Sequence, residues 1–412
     1  MSVLFQINMA ANRGSHGRIA EGIGEIVQAK GWKSYIAYGR YANPSQSHLL
    51  KIGATSDVYI HGAQSLLLDR HGLGSLGATK RLIQEIESIQ PDVIHLHNIH
   101  GYYLNYPVLF DFLSKADIPV VWTLHDAWAL TGHCAFFDAV HCEKWKTKCG
   151  QCPKKGDYPK SILLDRSERN YELKRRCFTS LKKLVLVPVS DWLAGILNES
   201  FLRDVPRVRI HNGIDTDRFC PNDMLASLFP GKKVVLGVNN VWEPRKGLTD
   251  FMTLRTLLDD QFVIVLIGLS KRQKAHLPEG IVGIERTDYI QELAGYYSRA
   301  DVFVNPTYED NYPTTHLEAQ ACGTFVITYQ TGGCAEAIDE KTGLTVPTGD
   351  VKALADSIRT FCLSSDKGQV AEACRRRAEL YYRKEDRFQE YYDLYASLIG
   401  NQSVHSIASE SQ

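Results

Sequence analysis

The sequence predicts an α/β protein made of two Rossmann-like, doubly wound domains, and three observations carry that expectation. At 412 residues the chain exceeds what one core usually organises, and at roughly 100–200 residues per domain it should divide in two. Apolar, β-branched runs recur along it, each followed by a polar stretch of helical pattern. The runs fall into two series on either side of a break rich in Pro, Gly and Asn. Continuously apolar strands alternating with helices form parallel sheets covered on both faces.

Strands are expected at residues 3–7, 34–38, 93–96, 119–124 and 184–189, then at 234–238, 262–267, 302–305 and 325–328, with helical segments such as 247–258 and 318–322. Cys220-Pro221-Asn222-Asp223 and Phe229-Pro230-Gly231 interrupt the pattern, because Pro and Gly punctuate periodic structure. The first domain is therefore placed at 1–218, with a Cys-rich insertion at about 126–160, and the second at 219–380. Residues 376–398 have the pattern of one last long helix, and the polar residues 401–412 are expected to be a flexible tail.

Apolar residues at 44% and charged residues at 23% are ordinary for a globular protein. Lys plus Arg equals Asp plus Glu at 47 each, so no global field marks a nucleic-acid binder. Residues 143–183 carry 13 basic against 5 acidic side chains. That stretch, with Lys144, Lys146, Lys148, Lys154, Lys155, Arg175 and Arg176, has two readings: contact with an anionic membrane surface, or a solvated helix face. The N-terminal residues have the pattern of a strand rather than a signal peptide. No apolar run approaches the length of about 18 residues that a membrane span needs, so a cytoplasmic location is expected.

Four segments carry chemistry. Asn12-Arg13-Gly14-Ser15-His16-Gly17 follows the first strand and opens a helix, where free N–H groups suit an anion. Its spacing is not the dinucleotide fingerprint. Thr123-Leu124-His125-Asp126 lies at the C-terminal end of a strand, where open sheets place ligands; a histidine there can meet a sugar hydroxyl or simply be packed. Asn239 to Gly247 contains the adjacent pair Arg245-Lys246, suited to a diphosphate because Arg bonds two oxygens at once and Lys adds a point charge. Asp310-Asn311-Tyr312-Pro313-Thr314-Thr315-His316-Leu317-Glu318 places two carboxylates eight positions apart, acceptors for neighbouring hydroxyls. Downstream, Gly332-Gly333 is expected at another helix start.

Together, Asn212-Gly213-Ile214-Asp215, Arg245-Lys246-Gly247, the segment from Asp310 through Glu318 to Gly323, and Gly332-Gly333 resemble the retaining GT-B glycosyltransferases of family 4, in order along residues 3–400. The resemblance implies two Rossmann-like domains facing a central cleft, with the C-terminal helix at 381–400 returning to the first. It implies transfer of a sugar from a nucleotide diphosphate donor, of UDP or GDP type, to a saccharide or lipid-linked acceptor with retained configuration, in bacterial surface polysaccharide synthesis. His125, Arg245, Lys246 and Asp310 match the catalytic positions. Gly14, Ser15, Asn212, Asn239, Asn311, Tyr312, Thr314, Thr315, Glu318, Gly332 and Gly333 complete the donor site. Asp310 departs from the Glu usual in the family, shortening the side chain by one methylene. No cofactor is expected for catalysis. A nucleotide-sugar epimerase and a non-catalytic nucleotide-sugar binding protein are the rival readings.

Cys134, Cys142, Cys149 and Cys152 lie within 19 residues of the insertion. Their spacing suits a structural zinc site, while free thiols and disulfides are the alternatives.

Overall fold

A computed structural model describes residues 1–400; the expected tail at 401–412 lies outside the described residues. The chain divides into two compact units, Met1–His211 with Phe388 onward, and Asn212–Arg387.

In the first unit the strands are β1 (Val3–Ala11), β2 (Lys33–Ala42), β3 (His48–Lys51), β4 (Val93–Leu96), β5 (Val120–Leu124) and β6 (Leu184–Pro188). They form one parallel sheet in the order β3-β2-β1-β4-β5-β6. Its helices are α1 (Gly14–Ala29), α2 (Thr55–Leu68), α3 (Leu76–Ile89), α4 (Tyr106–Lys115), α5 (Ser167–Phe178) and α6 (Asp191–Glu199). Strands β4, β5 and β6 are buried at every position, which is why they show as unbroken apolar runs.

The second unit repeats the plan. Strands β7 (Lys233–Val238), β8 (Phe262–Ile267), β9 (Ile281–Ile284), β10 (Val302–Asn305), β11 (Val326–Tyr329) and β12 (Gly343–Val346) form a second parallel sheet ordered β12-β11-β10-β7-β8-β9. Helices α7 (Leu248–Leu257), α8 (Lys271–Lys274), α9 (Ile290–Arg299), α10 (Thr314–Ala321), α11 (Val351–Ser364), α12 (Lys367–Tyr381) and α13 (Lys384–Ile399) follow. In each sheet the strand order reverses direction once, beside β1 and β4 in the first and beside β7 and β10 in the second. Such switch points leave a crevice at the carboxyl ends of the strands.

Two local expectations are corrected. The single helix expected over 376–398 is two helices, broken at Tyr382 and Arg383. There Arg383 bridges Ile214 as a parallel strand pair, with Ile214 N–H donating to the Tyr382 carbonyl at 2.8 Å and Lys384 N–H to the Ile214 carbonyl at 2.9 Å. Strand pairing with a distant segment overrides the helical pattern. Gly332-Gly333 precedes only a short 3-10 turn, Cys334–Ala337, not an α-helix.

From Phe388 on, α13 belongs to the first unit. Phe388, Tyr391, Leu394 and Tyr395 bury against Ile19, Ile23 and Val27 of α1, at roughly 1.5–3 kcal/mol per large apolar side chain. Tyr395 also bonds His95 Nδ1 at 2.6 Å, and Thr123 donates to the Tyr391 hydroxyl at 3.1 Å.

Candidate functional site

In the second unit the loop after β7 turns through a 3-10 segment, Pro244–Lys246, into α7. Gly247 makes the join at φ +70°, and a Cβ there would lie 2.1 Å from the Pro306 carbonyl, so only glycine brings this loop so close to the end of β10. The contact is sealed by the Arg245 carbonyl, which accepts from Tyr308 N–H at 2.8 Å. Arg245 and Lys246 are thereby set beside the segment 308–311.

Both cations have partners. Arg245 Nη1 donates to the Glu309 carbonyl at 2.7 Å and Nε to Glu243 at 3.0 Å. Lys246 Nζ pairs with Asp310 Oδ2, and these side chains are only 14% and 15% exposed. Burial alone would raise the Asp310 carboxyl, but Lys246 and then Arg245 outweigh it and hold it below the usual carboxylate range. The carboxylate keeps its charge because Lys246 answers it. Gly332 packs on this group at φ +50°, where a Cβ would stand 1.8 Å from the Asp310 carbonyl. The Gly332-Gly333 loop therefore places backbone, not side chain, against Asp310.

Asn311 and Tyr312 are buried, and Thr314 and Thr315 open α10 half-buried. Asn212 ties itself to this loop, donating from Nδ2 to the Tyr312 carbonyl at 3.0 Å. Glu318, on α10, is 7% exposed and accepts from the Tyr297 hydroxyl at 3.0 Å. Asn239 follows β7, with its N–H on the Ile267 carbonyl at 3.1 Å. Of the positions singled out, the structure joins Lys246 to Asp310, Arg245 to the carbonyl beside it, and Gly332 to its backbone. Glu318 bonds Tyr297 instead. His316, not among the expected site residues, lies behind Asp310: its Nε2 is 2.9 Å from the Asn305 amide, and burial pushes it down to about 4, against the pull of Asp310.

The switch point of the first unit has a different character. Gly14, at φ +70°, and exposed Ser15 begin α1 after β1. His125 follows β5, and its Nε2 lies 3.3 Å from His97 Nδ1, while His97 Nε2 meets Gln6 at 3.0 Å. His16 bonds Asn8 Oδ1 at 2.9 Å, with its ring centroid 6.1 Å from that of His125. Beside them His100 links Asp126 and the Tyr158 hydroxyl, each at 2.9 Å. Burial first, then neighbouring His16, pushes His125 down to about 3, and burial with His100 nearby pushes His16 to about 4. His125 is thus a neutral ring at pH 7, able to donate or accept one hydrogen bond. His16, His97 and His100 were not singled out as site residues. The alternation His95-Leu96-His97, running off the end of a strand with His100 beyond it, was the available signal.

The family model described as Glycosyltransferase Family 4 matches residues 23–218, and that described as Glycosyl transferases group 1 matches residues 232–363. The chain is 25% identical, over 96% of its length and 100% of the relative's, to the putative colanic acid biosynthesis glycosyl transferase WcaC of Escherichia coli K12. Among solved structures it is similar to sucrose-phosphate synthase from Thermosynechococcus elongatus, with TM-score 0.72, 17% identity and coverage of 98% and 100%. It is also similar to Anabaena HepE in complex with UDP, with TM-score 0.67, 14% identity and coverage of 96% and 100%.

Proposed function

The chain belongs to the family 4 glycosyltransferases of the group 1 type, and from that premise we propose that it moves a sugar from a nucleoside diphosphate sugar to a saccharide or lipid-linked saccharide, with retention of configuration, in bacterial surface polysaccharide synthesis. One observation carries this reading: at the switch point of the second sheet, adjacent Arg245 and Lys246 are gathered with Asp310 and a glycine loop. In the proposed reaction the acceptor oxygen bonds to the anomeric carbon as the bond to the diphosphate breaks, and the acceptor's proton passes to the leaving phosphate. Arg245 and Lys246 stabilise the charge that develops there. Asp310 receives hydroxyls of the transferred sugar and Glu318 those of the ribose. His125, a neutral ring, receives a sugar hydroxyl in the first unit, and Gly14 and Ser15 offer N–H groups to phosphate. No metal is assigned to this chemistry.

The donor site is tested by thermal stabilisation against UDP, GDP, ADP and their sugars. UDP is the first choice, being the nucleotide bound in the HepE complex. A ligand at 100 times its dissociation constant adds about 2.7 kcal/mol. The expected result is a selective upward shift with one nucleotide diphosphate that Glu318→Ala abolishes, and donor consumption that requires acceptor. No shift in folded protein, or consumption without acceptor, overturns the reading.

The same proposal places the enzyme in the cytoplasm, at the inner face of the membrane. Among the described residues no helix is long and apolar enough to cross a membrane. The basic stretch itself gives this little support: Lys146 pairs with Glu143 and Glu199, Lys148 with Glu168, Lys154 with Asp157 and Arg175 with Glu172. Support comes instead from exposed Leu67, Leu68, Ile162, Leu163 and Leu164, joined where Ile162 N–H donates to the Leu66 carbonyl at 2.8 Å. Flotation with anionic vesicles should recover wild-type protein and much less of a Leu67→Ser, Leu163→Ser variant. Equal recovery of the two would remove the membrane from the proposal.

A further inference from the structure

Residues 131–166 contain no strand and no helix beyond two three-residue 3-10 turns, Asp138–Val140 and Lys144–Lys146. They nevertheless bury Cys134, Phe137 and Trp145. A connection this long without regular structure is uncommon inside a compact unit, and small irregular segments of this kind are commonly held by a metal.

The thiols are placed for one. Cys149-Gly150-Gln151-Cys152 forms a tight loop, with Gln151 at φ +48°. The Lys144 ammonium closes it from outside, donating to the Gly150 and Gln151 carbonyls at 2.8 and 3.0 Å. Backbone N–H groups point at the sulfurs: Gly132 donates to Cys149 Sγ at 3.2 Å, and Lys154 to Cys152. Hydrogen bonds of this kind stabilise thiolates around a metal. Cys134 lies against Cys152, and Cys142 is within electrostatic reach of Cys149.

Two further groups fit an anionic metal–thiolate centre. His133 is 1% exposed, with Nδ1 on Asp69 at 2.6 Å and Nε2 buried without a partner. It neighbours Cys152. Its open Nε2 is a buried polar atom left unsatisfied near the thiols. Lys174 is also 1% exposed, its ammonium on the Trp128 and Thr131 carbonyls at 2.6 and 2.9 Å and 3.5 Å from the Trp128 ring centroid. Cys149 and Cys134 are among its electrostatic neighbours. Burial pushes this amine down to about 7, and negative charge at Cys149 and Cys134 pulls it back toward its charged form, so amine and thiolates favour each other's ionisation.

We propose that this insertion binds one zinc ion through the thiolates of Cys134, Cys142, Cys149 and Cys152. Each thiol gives up its proton as the ion binds, and no redox change is involved. Among the described residues no three of these sulfurs lie within 4.8 Å of one another, whereas Zn–S bonds of about 2.3 Å set tetrahedral sulfurs roughly 3.8 Å apart. Binding therefore draws the Cys134–Cys152 and Cys142–Cys149 pairs together, moving the turns at 138–140 and 144–146.

The test uses the full chain purified under reducing conditions without chelator. The expected result is one zinc per chain by elemental analysis, a thiolate-to-metal charge-transfer band after cobalt exchange, and loss of both in Cys149→Ser and Cys134→Ser. Cys177→Ser, on α5, should keep the metal. Chelator titration of the wild type supplies a second measure that does not depend on a cysteine variant folding: melting temperature falls and returns on adding zinc, and the four thiols alkylate only after chelation. Folded wild-type protein that holds well under one zinc and takes up none when it is supplied overturns the proposal. So does a native Cys134–Cys152 disulfide by mass spectrometry. None of these measurements depends on sugar transfer.

Discussion

The two units share one strand order, and each gathers side chains where that order reverses, yet the chemistry gathered is opposite in kind. Beside β1 and β4 the groups are imidazoles that burial makes neutral, His16, His97 and His125 among them. Beside β7 and β10 they are an ion pair, Lys246 with Asp310, and the pairing holds Asp310 below its usual range despite low exposure. Burial acts on both sites alike. What differs is which influence wins: Asp126 pulls His16 and His125 upward but burial outweighs it, so the rings shed their protons, whereas Lys246 and Arg245 outweigh burial at Asp310, so the carboxylate keeps its charge. A single scaffold thus presents neutral hydrogen-bonding rings on one sheet and an ion pair on another, since what a switch point offers is set by its side chains rather than by the fold.

The sharpest way to break this comparison is to remove one group of each kind. Arg245→Ala should lower turnover by roughly two to three orders of magnitude, the scale of losing one preorganised donor to a developing charge, about 2.7–4 kcal/mol. His125→Asn removes a neutral hydrogen bond, typically about 0.5–1.5 kcal/mol, and should cost at most about tenfold. Steady-state assays of both variants, with folding checked by circular dichroism, decide it. Near-wild-type turnover in Arg245→Ala takes that residue out of the mechanism. A larger loss in His125→Asn would mean that the first unit, not the second, carries the charge-stabilising step.

Much of this was legible in the sequence, for a physical reason. Strands such as β4, β8 and β10 are buried at every position, so their apolar runs stand out unaided. The edge strands β3, β9 and β12 have four residues each and mixed burial, too short for alternation to register. The break at Tyr382 and Arg383 depends on pairing with Ile214, a contact that no local pattern encodes. Arg245, Lys246 and Asp310 could be found by type and spacing, but the Lys246–Asp310 pair could not, because it joins residues 64 apart. The histidines show the same limit. Each of His16, His97 and His100 is unremarkable alone, and only the parallel alignment of β1, β4 and β5 brings them together with His125.

A smaller effect sharpens the comparison through acid sensitivity. In the first unit burial lowers His16 and His61 to about 4 and His125 to about 3, and carries His71, His95 and His97 well below their ordinary value. In the second unit His316, at about 4, is the one histidine with a lowered value among the described residues. These rings are unprotonated in the folded protein, whereas the unfolded chain protonates them below about pH 6.5. The unfolded state then binds more protons, so stability rises with pH. The contribution is complete above pH 6.5 and drains away as pH falls toward 4 and below. Asp310, like Asp126, is held below its usual range, so the second unit's charged pair gives way only under stronger acid. Hydrogen exchange at pH 7.5 and 5.0, corrected for intrinsic rates, should therefore show β1, β4 and β5 losing protection while β7, β8 and β10 keep theirs. Simultaneous loss in both units, or earlier loss in the second, would show that the buried histidines do not set the acid limit, and the contrast between neutral and charged switch points would then have no bearing on stability.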